Sequence, residues 1–578
     1  MKLLAAAVQY EPDPLDKQSN RYHLGELIES AASRGARLIV LPETGTTGMC
    51  WYSREEASLL VETVPGPTTR FFEELCSRWR CHLVAGMLEV DDATGIYYNS
   101  AVLVGPGGLI GHYRKNHLFL SDHKWAAAGD LGLPVWETEV GTIGIAICAD
   151  MEFPETVRIL AGKGAKIICC PTGWLGEKCP AATWITRAWE NGVYIVAADR
   201  WGRERGIQFS GGSCVIGPDG RVIEYRDDGN GVVMAELDLE RAVNSQTRRP
   251  ELYHSLMLDT YRWPPSQFFG LYGYRPLPPE GSGEVGVLQM RLAEGGMTRQ
   301  VELAEPLIRK AKAEHPQLKL LVLPDLISTT EKGRESLRSL AAGLTGPEVE
   351  RLGGLAKGLH MYLVWGMLED TGKDLYKTAV LWGPEGIIGY YRQAHLPDEL
   401  TEAGLRPGPS LDETFYTPVG RVGLLLGGDL EYPESVRCLA SAGADLVCVA
   451  GDGRLPPPLA LGGTRIPHPV NVLTTSDPYH WCLGRSRAWE NGCYLAVANP
   501  AGDDASSQEY RGTGVFDPAA YRRARSEQEM MLHPHEGLLV REVSTESSQR
   551  AGREVRSKEF LRRRRTELYH PLVGPDRG

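Results

Sequence analysis

Residues 105–118 read GPGGLIGHYRKNHL, and residues 383–396 read GPEGIIGYYRQAHL. The likeness continues outward in both directions. RAWENGVY at 187–194 returns as RAWENGCY at 487–494, and ELYH stands at both 251–254 and 567–570. A period of roughly 280 residues is too long for a solenoid repeat and fits a duplicated domain. The reading places one copy at residues 1–258 and the other at 284–578, joined by a linker at 259–283. The linker carries Pro264-Pro265 and Pro278-Pro279, together with Phe268, Phe269, Tyr272 and Tyr274. Those aromatics predict a linker packed against a domain.

Bulk properties agree with two soluble domains. A chain of 578 residues exceeds what one core serves. A formal net charge of -12 repels phosphates and anionic surfaces, so neither nucleic acid nor a membrane is an expected partner. The basic run at 562–565 reads as a solvated face. The 12 cysteines have no regular spacing, and Cys148, Cys169, Cys170 and Cys448 sit in apolar runs. That usage predicts reduced thiols and a cytoplasmic protein. No Cys/His cluster points to a metal, and no cofactor is expected. Residues 1–8 (MKLLAAAV) imitate the start of a signal peptide, but Val8-Gln9 matches Leu288-Gln289, so this is the first strand of each copy. No apolar run is long enough for a membrane helix.

Within the first copy, apolar runs at 38–41, 83–87, 101–104, 143–148, 167–170 and 194–198 predict strands buried on both faces. Helical patterns cover 22–32, 68–78, 154–161 and 181–190. Hairpin turns are expected at 105–111 and 217–220. This alternation predicts an α/β layered domain.

Three residues at strand ends stand out: Glu43 in LPETG, Lys115 in YRKNHL and Cys148 in CADMEFPE. Singly, each has an ordinary explanation as a solvated acid, an exposed lysine and a small core residue. Together, LPE at 41–43, YRKNHL at 113–118 and CADMEFPE at 148–155 resemble the nitrilase superfamily of carbon–nitrogen hydrolases. RAWENG at 187–192 and GGSCVIGPDG at 211–220 resemble further blocks of that family. The resemblance implies two tandem α-β-β-α sandwich domains and a catalytic Glu43-Lys115-Cys148 triad in the first copy. It further implies a thioester on the cysteine during cleavage of a C–N bond. Many family members add a second acid between the lysine and the cysteine. Residues 116–130 contain no glutamate, and Asp122 or, less fittingly, His123 takes that place. CADMEFPE most resembles the amidase-like branches, so a small-molecule amide is the expected substrate, ahead of an N-carbamoyl compound or a nitrile. Trp51 and Trp174 read first as core or surface aromatics, with walling a pocket for an apolar acyl group as the alternative.

The second copy has Asp325, Gln393 and Gly427 where the first has Glu43, Lys115 and Cys148. Glycine supplies no nucleophile, and glutamine supplies no charge. A catalytically silent copy is therefore expected, structural or regulatory in role. The resemblance suggests an intramolecular pseudo-dimer of the two halves, open to further homo-oligomerisation. A ligand sensor using the vacant second pocket is the alternative from another class. Residues 451–484 form an insertion rich in proline and glycine, about 20 residues longer than its counterpart, which is either functional or mobile.

Overall fold

The computed structural model describes all residues except 120, 176–178, 245, 247, 259–279, 328–333, 454–478, 502–512, 519–529, 532–535, 547 and 575–578. Most of the expected linker and most of the 451–484 insertion lie outside the described residues. The chain forms two compact units. One is Met1–Gln246 with Glu567–Leu572; the other comprises the described parts of Thr247–Ala460 and Ser476–Thr566.

The first unit holds two six-stranded sheets. One runs in the order Gly231–Asp238, Lys2–Gln9, Leu38–Val40, His82–Val90, Tyr97–Gly105, Gly108–Arg114. The other runs Val222–Arg226, Ser213–Ile216, Tyr194–Asp199, Ile167–Thr172, Gly141–Ile145, Val135–Thr138. Central strands are parallel in both sheets. Being covered on both faces, they need the near-continuous apolar runs that the sequence carries. Lys2–Gln9 and His82–Val90 pack against Tyr194–Asp199 and Ile167–Thr172, so the sheets meet face to face. Helices Lys17–Ser33 and Pro67–Trp79 pair outside the first sheet, and Pro154–Gly162 and Ala182–Asn191 outside the second. The result is the expected α-β-β-α sandwich.

Local sequence explains the helix ends. Asp16 caps Lys17–Ser33 by accepting the Ser19 N–H. Pro67 and Pro154 occupy first turns, where no donor is lost. Gly192 closes Ala182–Asn191 at φ 61°. The repeated RAWENG motif is structural. Arg187 pairs with Glu190, Asn191 donates to the Arg187 carbonyl at 2.9 Å, and Arg187 Nε donates to the Met151 carbonyl. Arg487, Glu490 and Asn491 repeat the arrangement against the Leu430 carbonyl. The motif braces the turn after position 148 or 427, which is why it persists where the cysteine does not.

The second unit repeats both sheets. Their orders are Gly386–Arg392, Leu375–Gly383, Tyr362–Asp370, Leu318–Asp325, Ser282–Gln289, Gly537–Ser544, and Thr414–Thr417, Gly420–Leu426, Leu446–Ala450, Tyr494–Ala498, Thr513–Phe516, Met530–Met531. The segment with the first ELYH belongs to this unit. Its Tyr253 hydroxyl lies 2.8 Å from His395 Nε2, and Arg249 donates to the Ala394 and Gly408 carbonyls.

Candidate active site

Glu43 leaves the strand Leu38–Val40 tightly against its neighbour. A Cβ on Gly86 would lie 2.7 Å from both Glu43 Cα and the Pro42 carbonyl oxygen, so only glycine admits this strand exit. Lys115 follows the strand Gly108–Arg114. Both side chains are fully buried, and Lys115 Nζ lies 2.6 Å from Glu43 Oε1. Asp122 joins them, with Oδ2 2.7 Å from the same ammonium and also fully buried. The shorter side chain reaches the lysine because Ser121–Asp122 open the short helix Asp122–Trp125, fixed by the Phe119 N–H donating to Asp122 Oδ2 at 3.0 Å. His123 is exposed on that helix and stays away from the cluster.

Asn99, which sequence reasoning missed, completes the network. Its Nδ2 donates to Glu43 Oε1 at 2.8 Å and to Asp122 Oδ1 at 3.2 Å. Burial works against the Lys115 ammonium, but the Asp122 and Glu43 carboxylates outweigh it and hold its pKa well above the usual lysine range.

Cys148 does not end its strand. The strand stops at Ile145, and Cys148 opens the 3₁₀ turn Cys148–Glu152 at φ 45°. A non-glycine residue there is strained and needs surrounding bonds to hold it. Asp150 supplies them. Its carboxylate accepts the Ile147 N–H at 2.9 Å, the His117 N–H at 3.0 Å and the Tyr113 hydroxyl at 2.8 Å, with His117 Nδ1 at 2.8 Å. His117 stacks on Phe153 at 3.7 Å. An adjacent cation alone would lower the Cys148 pKa, but here other influences outweigh it. Burial first, then the Glu43 carboxylate, push the Cys148 pKa well up. Lys115, the Thr172 hydroxyl and the Gly173 N–H pull the other way. The site therefore combines a buried thiol, a carboxylate with one oxygen (Glu43 Oε2) that accepts no hydrogen bond among the described residues, and a fixed ammonium.

Trp51 and Trp174 are both buried. Trp51 packs with Ala57, Leu60, Leu88 and Trp125, and Trp174 stands edge-on to Trp184 at 5.2 Å. Cys169 and Cys170 are buried in a strand, as expected of core residues. Asp199 accepts the Trp174 N–H at 2.8 Å, and burial pushes its carboxyl well up in pKa. Asn499 makes the corresponding bond to the Gly453 N–H, which fits an acid that keeps its proton.

The second copy differs from expectation in two ways. Its cation is moved, not lost. Lys377 occupies the strand position matching Asn99, and its Nζ lies 2.7 Å from Asp325 Oδ2 and 3.0 Å from Asp452 Oδ2. Burial opposes the Lys377 charge, but Asp325 and Asp452 together hold its pKa up. The pocket is also not vacant beside Gly427. Strand register matches Asp452 to Gly173, and Asp452 Oδ1 lies 2.8 Å from where a Cβ on Gly427 would stand. The carboxylate fills the space that the missing side chain left.

The carbon–nitrogen hydrolase family model matches residues 4–246 and again 284–535.

The chain belongs to the carbon–nitrogen hydrolase family. It is similar to a nitrilase of Pyrococcus abyssi, 40% identical over 236 residues, covering 40% of this chain and 89% of that protein. An (R)-stereoselective amidase of a Pseudomonas species is 33% identical over 38% of this chain and 81% of its own length. A carbon–nitrogen hydrolase structure from Helicobacter pylori is 28% identical, covers 42% of this chain and 91% of that one, and has a TM-score of 0.39. This carbon–nitrogen hydrolase thus carries two copies of the family domain. Among its described residues no cluster of side chains is suited to a metal, and no helix is long and apolar enough to cross a membrane.

Proposed function

We propose that the first copy hydrolyses a small-molecule amide through a thioester on Cys148. The observation that carries this reading is the buried Glu43–Lys115–Asp122 ion cluster beside a strained cysteine. Glu43 takes the thiol proton as sulfur attacks the carbonyl carbon. The oxyanion forms against the Lys115 ammonium and the Ala149 N–H, and one such donor is worth about 3 kcal/mol. Glu43 then passes the proton to the leaving nitrogen, the C–N bond breaks and ammonia departs. Water, deprotonated by Glu43, attacks the thioester, releases the carboxylic acid and returns the thiol. Asp122 and Asn99 position Lys115 and Glu43. Similarity to a stereoselective amidase supports an amide, and similarity to a nitrilase supports a nitrile as the second reading. The second copy is non-catalytic in this proposal, since its nucleophile position is Gly427 with Asp452 against it.

The test is whole-protein mass spectrometry after rapid quench with amides, N-carbamoyl compounds and nitriles, alongside ammonia release. An acyl adduct mapping to Cys148 is expected, with no turnover by Cys148→Ala. Turnover that survives Cys148→Ala would sink both the nucleophile and the silent second copy.

A further inference from the structure

Arg200 is a buried cation that the mechanism above leaves unused. It follows the strand Tyr194–Asp199 and is 1% exposed. Its Nη2 pairs with Glu204 Oε2 at 2.7 Å, and its guanidinium lies over the Phe209 ring at 4.2 Å. Its Nε and Nη1 are buried with no acceptor among the described residues. Donors taken out of water and left unmet are costly, and an arginine brings five. Glu204 is itself anchored, accepting the Met49 and Cys50 N–H groups on the loop that follows Glu43. The Glu204 charge already balances the guanidinium, so what this site lacks is an acceptor and not an anion.

The position is beside the chemistry. An ideal Cβ on Gly173, whose N–H favours the Cys148 thiolate, would stand 3.2 Å from Arg200 Cδ and 3.4 Å from Glu43 Oε2. The Arg200 side chain and the Glu43 oxygen that accepts no hydrogen bond among the described residues thus flank one glycine. Met49, Cys50 and Phe209, with Leu175 against them, form a small apolar cluster separate from the main core at the same place. The second copy offers an internal control. Strand register matches Arg200 to Pro500 and Gly173 to Asp452, so the copy without a nucleophile also lacks the arginine and carries a carboxylate in place of the glycine.

We infer that Arg200 is a substrate-recognition residue that donates to an oxygen acceptor carried on the acyl chain of the amide, whose methylenes lie on the Met49–Phe209 patch. This rests on the reading that an amide acylates Cys148. Both a carboxylate and a neutral carbonyl are oxygen acceptors, and the experiment separates them.

The experiment compares kcat/KM of the full chain for succinamic acid, succinamide and 4-methylpentanamide, which has the same length without a distal oxygen. The expected wild-type preference for an oxygen-bearing amide is at least about 30-fold, the size expected for one hydrogen bond to a charged group. Arg200→Met should collapse that ratio to near unity, chiefly through KM. Preference for succinamic acid over succinamide assigns the acceptor as a carboxylate, and equal rates assign a neutral oxygen; either upholds the proposal. Equal wild-type rates for all three compounds overturn it without any variant, so a misfolded Arg200→Met leaves the answer intact. A preference that survives Arg200→Met overturns it as well. No acylation of Cys148 by any of the three defeats the amide reading and the subsite with it.

Discussion

Replacing Lys115 with glutamine gives the first copy the residue that the second copy has at position 393. The structure sets the cost. Lys115 Nζ is the ammonium between two fully buried carboxylates at 2.6 and 2.7 Å. Without it, one carboxylate must take up a proton for the pair to stay buried. Doing so at pH 7, about three units above an ordinary carboxylate pKa, costs about 4 kcal/mol. That agrees with the roughly 3–5 kcal/mol seen when one partner of a buried ion pair is removed. The sign with pH follows. A carboxyl protonated in the fold and ionised in the unfolded chain loses stability as pH rises above its unfolded value, so the deficit shrinks to about 1–2 kcal/mol at pH 5. Activity should fall by roughly 10²–10³ in kcat from loss of one charged oxyanion donor. The second copy suggests the rescue. Asn99 Nδ2 already lies 2.8 Å from Glu43 and 3.2 Å from Asp122, so Asn99→Lys with Lys115→Gln should restore the neutralising charge, as Lys377 does for Asp325. Urea denaturation at pH 5 and 7 would read the stability, and ammonia release the rate. The double variant should regain stability but not turnover, because its ammonium approaches from the strand side of the carboxylates. A Lys115→Gln deficit that is the same at both pH values, or a double variant no more stable than the single, would refute the reasoning.

Asp150→Asn should cost about 2–3 kcal/mol in urea denaturation, because an amide cannot accept all of the Ile147, His117 and Tyr113 bonds, and kcat should drop by roughly tenfold or more as the Cys148 turn loosens. An unchanged kcat would show that the turn holds itself. Gly173→Asp should recreate the second copy's arrangement and abolish ammonia release, since its Cβ would stand 2.7 Å from Met49 Sδ and 3.4 Å from Glu43 Oε2; retained turnover would separate Asp452 from the silence proposed for that copy. Glu431 has its carboxyl pushed up to about 7 by burial and then by Asp452. Its proton is kept in the fold and lost in the unfolded chain between about pH 4.5 and 7, so the second unit should lose up to about 3 kcal/mol across that window. Glu431→Gln should remove this slope, and parallel pH profiles for wild type and variant would count against it.

The sandwich was legible, and the candidate site residues could be singled out, because both leave marks that do not depend on tertiary detail. Buried parallel strands must be apolar on both faces, and LPE, YRKNHL and CADMEFPE place unusual residue types just beyond such apolar runs, although Cys148 itself lies in the turn after its strand and not at the strand end. The strand Gly231–Asp238 was not legible. Its residues are mixed in burial, and only its antiparallel pairing with Lys2–Gln9 defines it. Asn99 and Asp150 escaped for a different reason. Each hydrogen-bonds to a segment that carries candidate site residues, and nothing local in sequence marks such a partner. Arg200 had a weak signal, an arginine just past a buried strand with a glutamate four residues on, but that pattern also describes a surface pair.

The second copy shows why aligned motifs alone understate what a duplicated domain retains. Position by position, Lys115 becomes Gln393 and the aligned site holds no cation. In three dimensions the requirement is a positive charge touching a buried acid, and two neighbouring positions can meet it. Position 115 lies at the end of one strand and position 99 in the strand beside it. Exchanging Asn–Lys for Lys–Gln keeps the acid neutralised while removing the donor from the place where an oxyanion would form. A buried carboxylate without its partner threatens the fold, whereas a missing oxyanion donor threatens only turnover. A copy that has lost its thiol is released from the second constraint and still bound by the first. The relocation to Lys377 is what those unequal constraints predict, and Asp452 is tolerated because that lysine is there to receive it.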